Sequence, residues 1–259
     1  MAAQERNEPE RQAFRELIAS LDARRLVVVD ECASHLGMIP GYGRAPRGQR
    51  RWGKKRRNYG KNMSVVACMT LNGMGPSMII EGAVDAAVFE AFVEHCLLPF
   101  LLPGQIVLMD NLSSHKGSRI EALIASRRCT ILYLPAYSPD LTPIEEAFSK
   151  IKTFLKRASA QTVDTLLDAI AAALLTVSLS DAYGFFTMLA FFDRLNLHDN
   201  CCRAICDNGF YAITGRRLVQ VWESAAMQVR LLVAAWAGST QVALDPSCQR
   251  QAHHPQHPA

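Results

Sequence analysis

The sequence predicts an α/β domain in which a mixed sheet is flanked by helices. Three observations lead to this prediction: short β-branched apolar runs typical of buried strands, a strong hairpin signal, and intervening segments with apolar residues at helical spacing. Their order along the chain is strand, hairpin, helix, strand, helix, strand, helix. Strands that alternate with helices usually pair in parallel, whereas a hairpin pairs antiparallel, so we expect both kinds of pairing in one sheet.

The first part of the chain predicts a helix, a strand and the hairpin. Residues 10–23 have the spacing of a short amphipathic helix, and the run LVVVD at 26–30 is typical of a buried strand. A basic loop rich in Gly and Pro follows. The Asn-Gly dipeptide at 72–73 then separates the apolar runs 63–71 and 76–81, and this dipeptide is a strong signal for a hairpin turn.

The middle of the chain alternates helices and strands. The predicted elements are a helix at 85–102, a strand at 106–110, a helix at 116–127, a strand at 130–134, and helices at 143–157 and 162–178.

The composition changes after about residue 187. The segment 188–259 contains no Lys, but it holds four of the eight Cys and four of the seven His. We therefore divide the chain into a helical lead-in at 1–23, a main domain at 24–187 and an extension of uncertain fold at 188–259. Within the extension, residues 218–236 are apolar enough to predict a helix.

Composition favours a cytoplasmic protein without a membrane segment. The chain is 49% apolar and 20% charged, no run of eighteen apolar residues occurs, and the polar start lacks the apolar stretch of a signal peptide. The eight cysteines contain no CxxC pair and are predicted to be reduced thiols. Three of them, at 201, 202 and 206, occur in the same segment as a His cluster but fit no zinc spacing.

Positive charge is concentrated in one segment. The net charge is only +4, yet no acid occurs from Cys32 to Ile80. Aromatic residues at 42, 52 and 59 lie among the basic ones, and this mixture predicts a nucleic-acid contact rather than a merely solvated face. The nine basic residues are Arg44, Arg47, Arg50, Arg51, Lys54, Lys55, Arg56, Arg57 and Lys61.

Three acids have the placement of a metal site. Asp30 and Asp110 each close an apolar run, and acids at the carboxyl ends of neighbouring strands can converge in one crevice. Glu145 lies in the first turn of the helix predicted from Pro143, near the positive end of its dipole. Clustered carboxylates repel unless a cation lies between them, and Mg²⁺ prefers such oxygen ligands. Divalent ions held in this way support phosphoryl transfer.

Each of these acids also has an ordinary structural interpretation. An Asp after a strand is commonly a turn or cap residue. Residues 142–145, Thr-Pro-Ile-Glu, have the pattern of a helix capping box, and Glu146 is spaced to form a surface ion pair with Lys150. Only the three acids together favour the functional interpretation.

Three further residues are candidates for the same crevice. Asn111 and His115 follow Asp110 in a loop and could position a phosphate, although a turn former is the common alternative. Lys152 lies on the same helical stripe as Glu145, so it could touch a phosphate near that acid, or it could simply be solvated.

Several runs resemble a known family. They are LVVVDE at 26–31, YGRAPRGQR at 42–50, MDNLSSHKG at 109–117 and LPAYSPDLTPIEEAFSKIK at 134–152. Together they resemble the bacterial insertion-sequence branch of the mariner superfamily of DDE transposases, over about residues 25–187. Family members commonly have 34 residues between the last two catalytic acids, and residues 111–144 number 34 here. Thr142 stands where the family most often has Asn.

The resemblance implies a fold, a reaction and partners. It implies a ribonuclease-H-like domain in which Asp30, Asp110 and Glu145 form the catalytic triad and hold Mg²⁺, with Mn²⁺ as a substitute. The reaction would be endonuclease cleavage at the ends of an insertion sequence and strand transfer to target DNA. The implied partners are DNA, further copies of the chain on that DNA, and a separate helix-turn-helix protein for end recognition. The alternatives are a nuclease that does not join, and a non-catalytic DNA-binding or subunit-interacting remnant.

Overall fold

A mixed sheet with helices on both faces forms the body of the protein. The computed structural model describes residues 6–60, 62–112, 115–188, 210–214, 217–221 and 232–235, the last three ranges as backbone. The strand order is β5-β4-β1-β2-β3-β6-β7-β8. The strands are β1 (Leu26–Ser34), β2 (Met63–Thr70), β3 (Gly73–Glu81), β4 (Ile106–Met109), β5 (Thr130–Tyr133), β6 (Phe210–Thr214), β7 (Arg217–Val221) and β8 (Leu232–Ala235).

Both kinds of strand pairing occur, as predicted. The strand β1 pairs in parallel with β4, which pairs in parallel with β5, whereas β1, β2 and β3 pair antiparallel in chain order. The helices are α1 (Glu8–Ser20), α2 (Ala86–Phe92), α3 (Leu98–Phe100), α4 (Ser118–Ser126), α5 (Ile144–Ala158), α6 (Val163–Leu175) and α7 (Leu179–Met188), with a π-helical turn (Val93–Leu97) between α2 and α3.

The alternation of side chains along β1 divides the core into two layers. Leu26, Val28 and Cys32 face the layer that contains α1, α5 and α6, and Val27 and Val29 face the layer that contains α2 and α4. The helix α5, predicted at 143–157, buries one apolar stripe against the first layer. The buried residues are Ile144, Ala147, Phe148, Ile151 and Leu155.

Two local predictions were wrong in detail. The strand β1 does not end at Asp30 but continues to Ser34, because its later residues pair with β2 from Glu31↔Val66 to Ser34↔Met63. The hairpin turn lies at residues 71–72 rather than 72–73, and Gly73 takes φ +104 at the start of β3. A left-handed Gly directly after the turn residues is typical of a bulged hairpin.

The predicted helix at 218–236 is also wrong. The described backbone there forms β7 and β8, and β6 pairs in parallel with β3, so these strands extend the sheet beyond the hairpin. A short apolar run has the same composition in a buried helix and in a strand, which explains the error. The cysteines at 201, 202 and 206 and the His cluster lie outside the described residues.

No single helix in the described residues is long and apolar enough to cross a bilayer. The helices α6 and α7 meet that test only as a pair, and the chain bends by 72° between them.

The N-terminal helix is fixed to the loop that precedes α5. Phe14 and Ile18 of α1 join the first core layer. Arg11 has no exposed side-chain surface, and its guanidinium donates to both carboxylate oxygens of Asp140, at 3.2 and 2.7 Å. Arg6 donates to the same carboxylate at 2.7 Å. The two arginines therefore hold α1 against the segment that leads into α5.

We predict that the two sides of this contact differ in their effect on stability. Asp140→Ala should lower the free energy of unfolding by about 2 kcal/mol, because it removes charge-assisted hydrogen bonds from the covered guanidinium of Arg11. Arg11→Met should cost less, about 1 kcal/mol, since the carboxylate of Asp140 is 52% exposed and water can solvate it. Urea unfolding measures both.

The matched control is Glu94→Ala, which breaks an exposed pair with Arg119 and should change stability by less than about 0.5 kcal/mol. An Arg11 variant that loses more stability than the Asp140 variant would contradict this interpretation.

Candidate active site

The three predicted acids meet at one end of the central strands. The parallel register pairs Val28 with Leu108, and the same register continued by two residues makes Asp30 level with Asp110, which directly follows β4. Asp30 has the same parity along β1 as Val28, so it points toward the layer that contains α5. Glu145 lies in the first turn of α5. Two neighbouring strands and one helix start thus bring the acids together.

The electrostatics of Asp30 reflect this neighbourhood. Burial raises the pKa of Asp30 to about 7, against the opposing effect of a hydrogen bond from the N–H of Glu31. The carboxylates of Glu145, Glu31 and Asp110 raise the pKa of Asp30 further. The site therefore carries more negative charge than its half-buried position can readily accommodate.

Lys152 belongs to the same neighbourhood. Burial raises the pKa of the Cys32 thiol to about 12, the positive charge of Lys152 opposes the rise, and the charges of Asp30 and Glu145 add to it. Lys152, Asp30 and Glu145 therefore all lie close enough to the Cys32 thiol to affect its pKa. Lys152 is half-buried on α5, as expected for a side chain directed along the face that holds Glu145.

His115 lies between two of the acids. Its Nε2 is 2.8 Å from Oε1 of Glu31, and its Nδ1 contacts Oδ1 of Asp110. The ring is 1% exposed and stacks on Phe89 with 3.9 Å between ring centroids. Burial lowers the pKa of His115, but the contacts with Asp110 and Glu31 outweigh it and raise the pKa to about 9. His115 is therefore a protonated link between two carboxylates at neutral pH.

The start of α5 differs from the predicted capping box. Pro143 is the N-cap, no side chain caps the helix, and the Thr142 hydroxyl is buried without a hydrogen-bond partner. Glu145 is half-buried whereas Glu146 is exposed. The predicted surface pair of Glu146 with Lys150 is also wrong, because Lys150 pairs with Asp181 of α7 at 2.6 Å. A role in a capping box therefore does not account for Glu145.

The donor set of the three acids fits a hard divalent cation. All three offer carboxylate oxygens, and a bound cation would favour the ionised form of Asp30, whose pKa is raised first by burial and then by the neighbouring carboxylates. Among the described residues, no three acidic, His or Cys side chains are already arranged as a metal site. Two of the acids direct an oxygen elsewhere, since Asp30 Oδ1 accepts from the N–H of Glu31 and Asp110 Oδ1 contacts His115.

The basic segment lies exposed in irregular structure. Its charged side chains from Arg44 to Arg57 are all exposed, as are Tyr42 at 98% and Trp52 at 82%. The guanidinium of Arg50 lies 5.6 Å from the Trp52 ring centre. Lys61 lies outside the described residues. Nothing in the described core competes for these charges, so they are free to meet a polyanion.

A cavity lies beside the strand β1 at Glu31 and Cys32. Its volume is about 770 Å³, and Glu31, Tyr59, Asn62 and Leu112 are among the residues that line it. Tyr59 is half-buried and stacks on His35 at 4.1 Å between ring centroids. Asn111, the remaining candidate, is exposed beside this opening in the loop after Asp110.

Glu31 is the site residue that sequence reasoning missed. It was passed over because the strand was expected to end at Asp30. The residues ECAS after Asp30 could equally continue the strand, and alternation along it would have turned Glu31 to the face opposite Asp30. That face carries His115.

A family model and two known transposases match this chain in sequence. A family model described as a DDE superfamily endonuclease matches residues 25–167. The Tc1 transposase of Caenorhabditis elegans is 24% identical over 157 residues, which are 59% of this chain and 54% of that protein. The Tcb1 transposase of Caenorhabditis briggsae is 30% identical over 101 residues, 38% of this chain and 37% of that protein. The chain thus spans about half or less of these relatives.

Solved structures support the fold. The Mos1 transposase paired-end complex with left transposon end has a TM-score of 0.59 at 18% identity, over 73% of this chain and 62% of that chain. The isolated catalytic domain of Mos1 mariner transposase has a TM-score of 0.53 at 15% identity, over 73% of this chain and 93% of that domain. The sheet and its helices are therefore of the ribonuclease-H-like kind. Because the family model covers more than half of its length, this chain belongs to the DDE superfamily of endonucleases.

Proposed function

We propose that the chain is a transposase catalytic core that cuts DNA at the ends of a mobile element and joins the freed 3′-hydroxyl to target DNA. The observation that carries this proposal is the meeting of Asp30, Asp110 and Glu145 at one end of a ribonuclease-H-like sheet. The motif resemblance favours the bacterial insertion-sequence branch. We propose the division at 23/24 and 187/188 on the same basis, and a cytoplasmic location because the substrate is DNA.

The three acids would hold the cation. We propose Mg²⁺, with Mn²⁺ as a substitute, and solved Mos1 paired-end complexes with Mg and with Mn support this choice. The bound ions would polarise the scissile phosphate and stabilise the charge on the leaving oxygen. Asp30 must then be ionised, and cation binding favours its charged form over the protonated form that burial favours.

The remaining groups would bind and orient the DNA. Lys152, close to the acids, would hold a phosphate beside the cut. The exposed basic residues from Arg44 to Arg57, together with Lys61, would bind the DNA backbone at a distance, with Tyr42 and Trp52 available for unpaired bases.

We propose that the working form is an oligomer of this chain on DNA. The Mos1 paired-end complex and the Mos1 strand transfer complex, both similar in fold to this chain, support this proposal. We also propose a separate helix-turn-helix protein that reads the element ends, as the motif resemblance implies.

The first prediction distinguishes the catalytic role of Glu145 from that of its neighbour Glu146. Glu145→Gln should abolish Mg²⁺-dependent nicking of supercoiled DNA, because it removes a charged oxygen ligand beside Asp30. Glu146→Gln is the matched control and should retain most of the nicking, since Glu146 is exposed. The reverse result would assign the role to Glu146, and DNA binding without nicking by the unaltered chain would favour a non-catalytic remnant.

The second prediction concerns the basic segment. Replacing Arg50, Arg51, Lys54, Lys55, Arg56 and Arg57 by Gln should weaken DNA binding and flatten its salt dependence, by about 0.9 unit of the log–log slope for each lost phosphate contact. Fluorescence anisotropy over a salt series measures this. Arg119→Gln is the control, because Glu90 and Glu94 already pair with that charge. An unchanged slope in the six-fold variant would mean that the segment is only solvated.

The third prediction concerns the extension. A chain that ends after Thr187 should keep metal-dependent nicking, because β6 pairs with β3, on the far side of β1 from β4, and every proposed catalytic acid precedes Ala147. Circular dichroism checks the fold of the shortened chain. A folded chain that no longer nicks DNA would make the extension part of the working enzyme.

A further inference from the structure

Glu31 and His115 form a connection to Asp110 that the triad alone does not explain. The chain of contacts runs from Glu31 Oε1 to His115 Nε2 at 2.8 Å, and from His115 Nδ1 to Asp110 Oδ1. Both ring nitrogens therefore face carboxylates. Neither Glu31 nor His115 belongs to the set of three acids proposed to hold the cation.

The ring of His115 is fixed on all sides. Its face stacks on Phe89, its side chain is 1% exposed, and its backbone carbonyl accepts from the Tyr133 hydroxyl at 3.4 Å. Its backbone N–H donates to the carbonyl of Leu112 at 3.1 Å. Stacking and burial restrict rotation of the ring and keep Nδ1 directed toward Asp110.

Asp110 needs such a support more than its neighbours do. It follows the last residue of β4, so no ladder pairing beyond Met109 limits its side chain, and its side chain is 30% exposed. The side chain has one further contact, a 3.3 Å hydrogen bond from the N–H of Leu112 in the same loop. Contact with a rigid ring restricts the carboxylate to one orientation and leaves its other oxygen available.

Glu31 contacts Asp110 through His115. Alternation along β1 turns Glu31 to the face opposite Asp30, where Phe89 and the residues of α4 pack. Its carboxylate lies against Nε2 and so fixes the orientation of the ring, as carboxylates commonly do for His residues beside a metal site.

We propose that Glu31 and His115 are positioning residues, in which Glu31 holds the His115 ring and His115 holds the Asp110 carboxylate in the orientation that receives the divalent cation. The inference rests on the proposed function, because it concerns the same cation site. It assigns neither residue a contact with the ion or with DNA.

The test measures Mn²⁺ binding to the full chain directly, from the electron paramagnetic resonance signal of free Mn²⁺, and so does not depend on cleavage. Glu31→Gln and His115→Gln should each raise the dissociation constant about tenfold, the usual loss when a second-layer partner of a metal ligand is removed. Glu94→Gln is the matched control and should leave it unchanged, because Glu94 pairs with Arg119 on the surface.

The double variant distinguishes positioning from a structural role. If Glu31 acts through His115, Glu31→Gln should add nothing in the His115→Gln background, so the two effects are not additive. Additive effects would mean that Glu31 contacts the ion itself and would overturn the inference. Unfolding midpoints of all variants are measured in parallel. If His115→Gln does not fold, an unchanged dissociation constant in Glu31→Gln alone overturns it.

The outcomes also separate this inference from the proposed function. A chain that binds Mn²⁺ with the expected variant pattern but never nicks DNA would overturn the transposase proposal and leave the positioning role standing. A chain that nicks DNA while both single variants bind Mn²⁺ normally would overturn the positioning role alone. Failure of the unaltered chain to bind Mn²⁺ would overturn it as well.

Discussion

Repulsion among carboxylates is the constraint on which the site depends. Asp30 is half-buried, and the charges of Glu145, Glu31 and Asp110 act on it. Burial, together with these charges, raises the pKa of Asp30 to about 7. A cluster of this kind costs stability unless positive charge offsets it. The surrounding structure supplies such charge from two directions, the His115 ring and the Lys152 side chain. A divalent cation is the third and largest contribution that we propose.

The strand β1 makes this arrangement possible by using both of its faces. Successive residues Asp30 and Glu31 point to opposite layers, so two adjacent acids serve different partners without sharing one space. The register with β4 then brings Asp110 level with Asp30. The helix α5, in the layer toward which Asp30 points, brings Glu145 to the same place. Arg6 and Arg11 also hold Asp140, in the segment that leads into α5, so the chain is fixed just before the helix that carries Glu145.

Much of the core of this fold could be predicted from the sequence, for a definite physical reason. The short apolar runs of β1 and β4 and the helical spacing of α5 are strong local patterns, and they predicted two strands and a helix at these places. The end of β1 could not be predicted, because Glu31 and Ser34 are polar residues that stay in the strand only through pairing with β2. The capping pattern at Thr142 failed for a related reason, since burial of its hydroxyl is a tertiary effect. The strands β7 and β8 were not predicted because an apolar run of this composition is equally compatible with a helix.

The separation of basic and acidic groups follows from what a DNA substrate brings to the site. A phosphate that approaches Asp30, Asp110 and Glu145 adds negative charge to an already repulsive cluster, so the acids themselves cannot supply binding energy. The affinity must come from elsewhere, and the segment from Arg44 to Arg57 holds its charges in exposed irregular structure. Many positive charges placed directly at the acids would compete with the proposed cation. Among the described residues, Lys152 and the His115 ring lie near the acids, whereas the segment from Arg44 to Arg57 holds its charges in exposed irregular structure, where they would bind the backbone of the proposed DNA substrate.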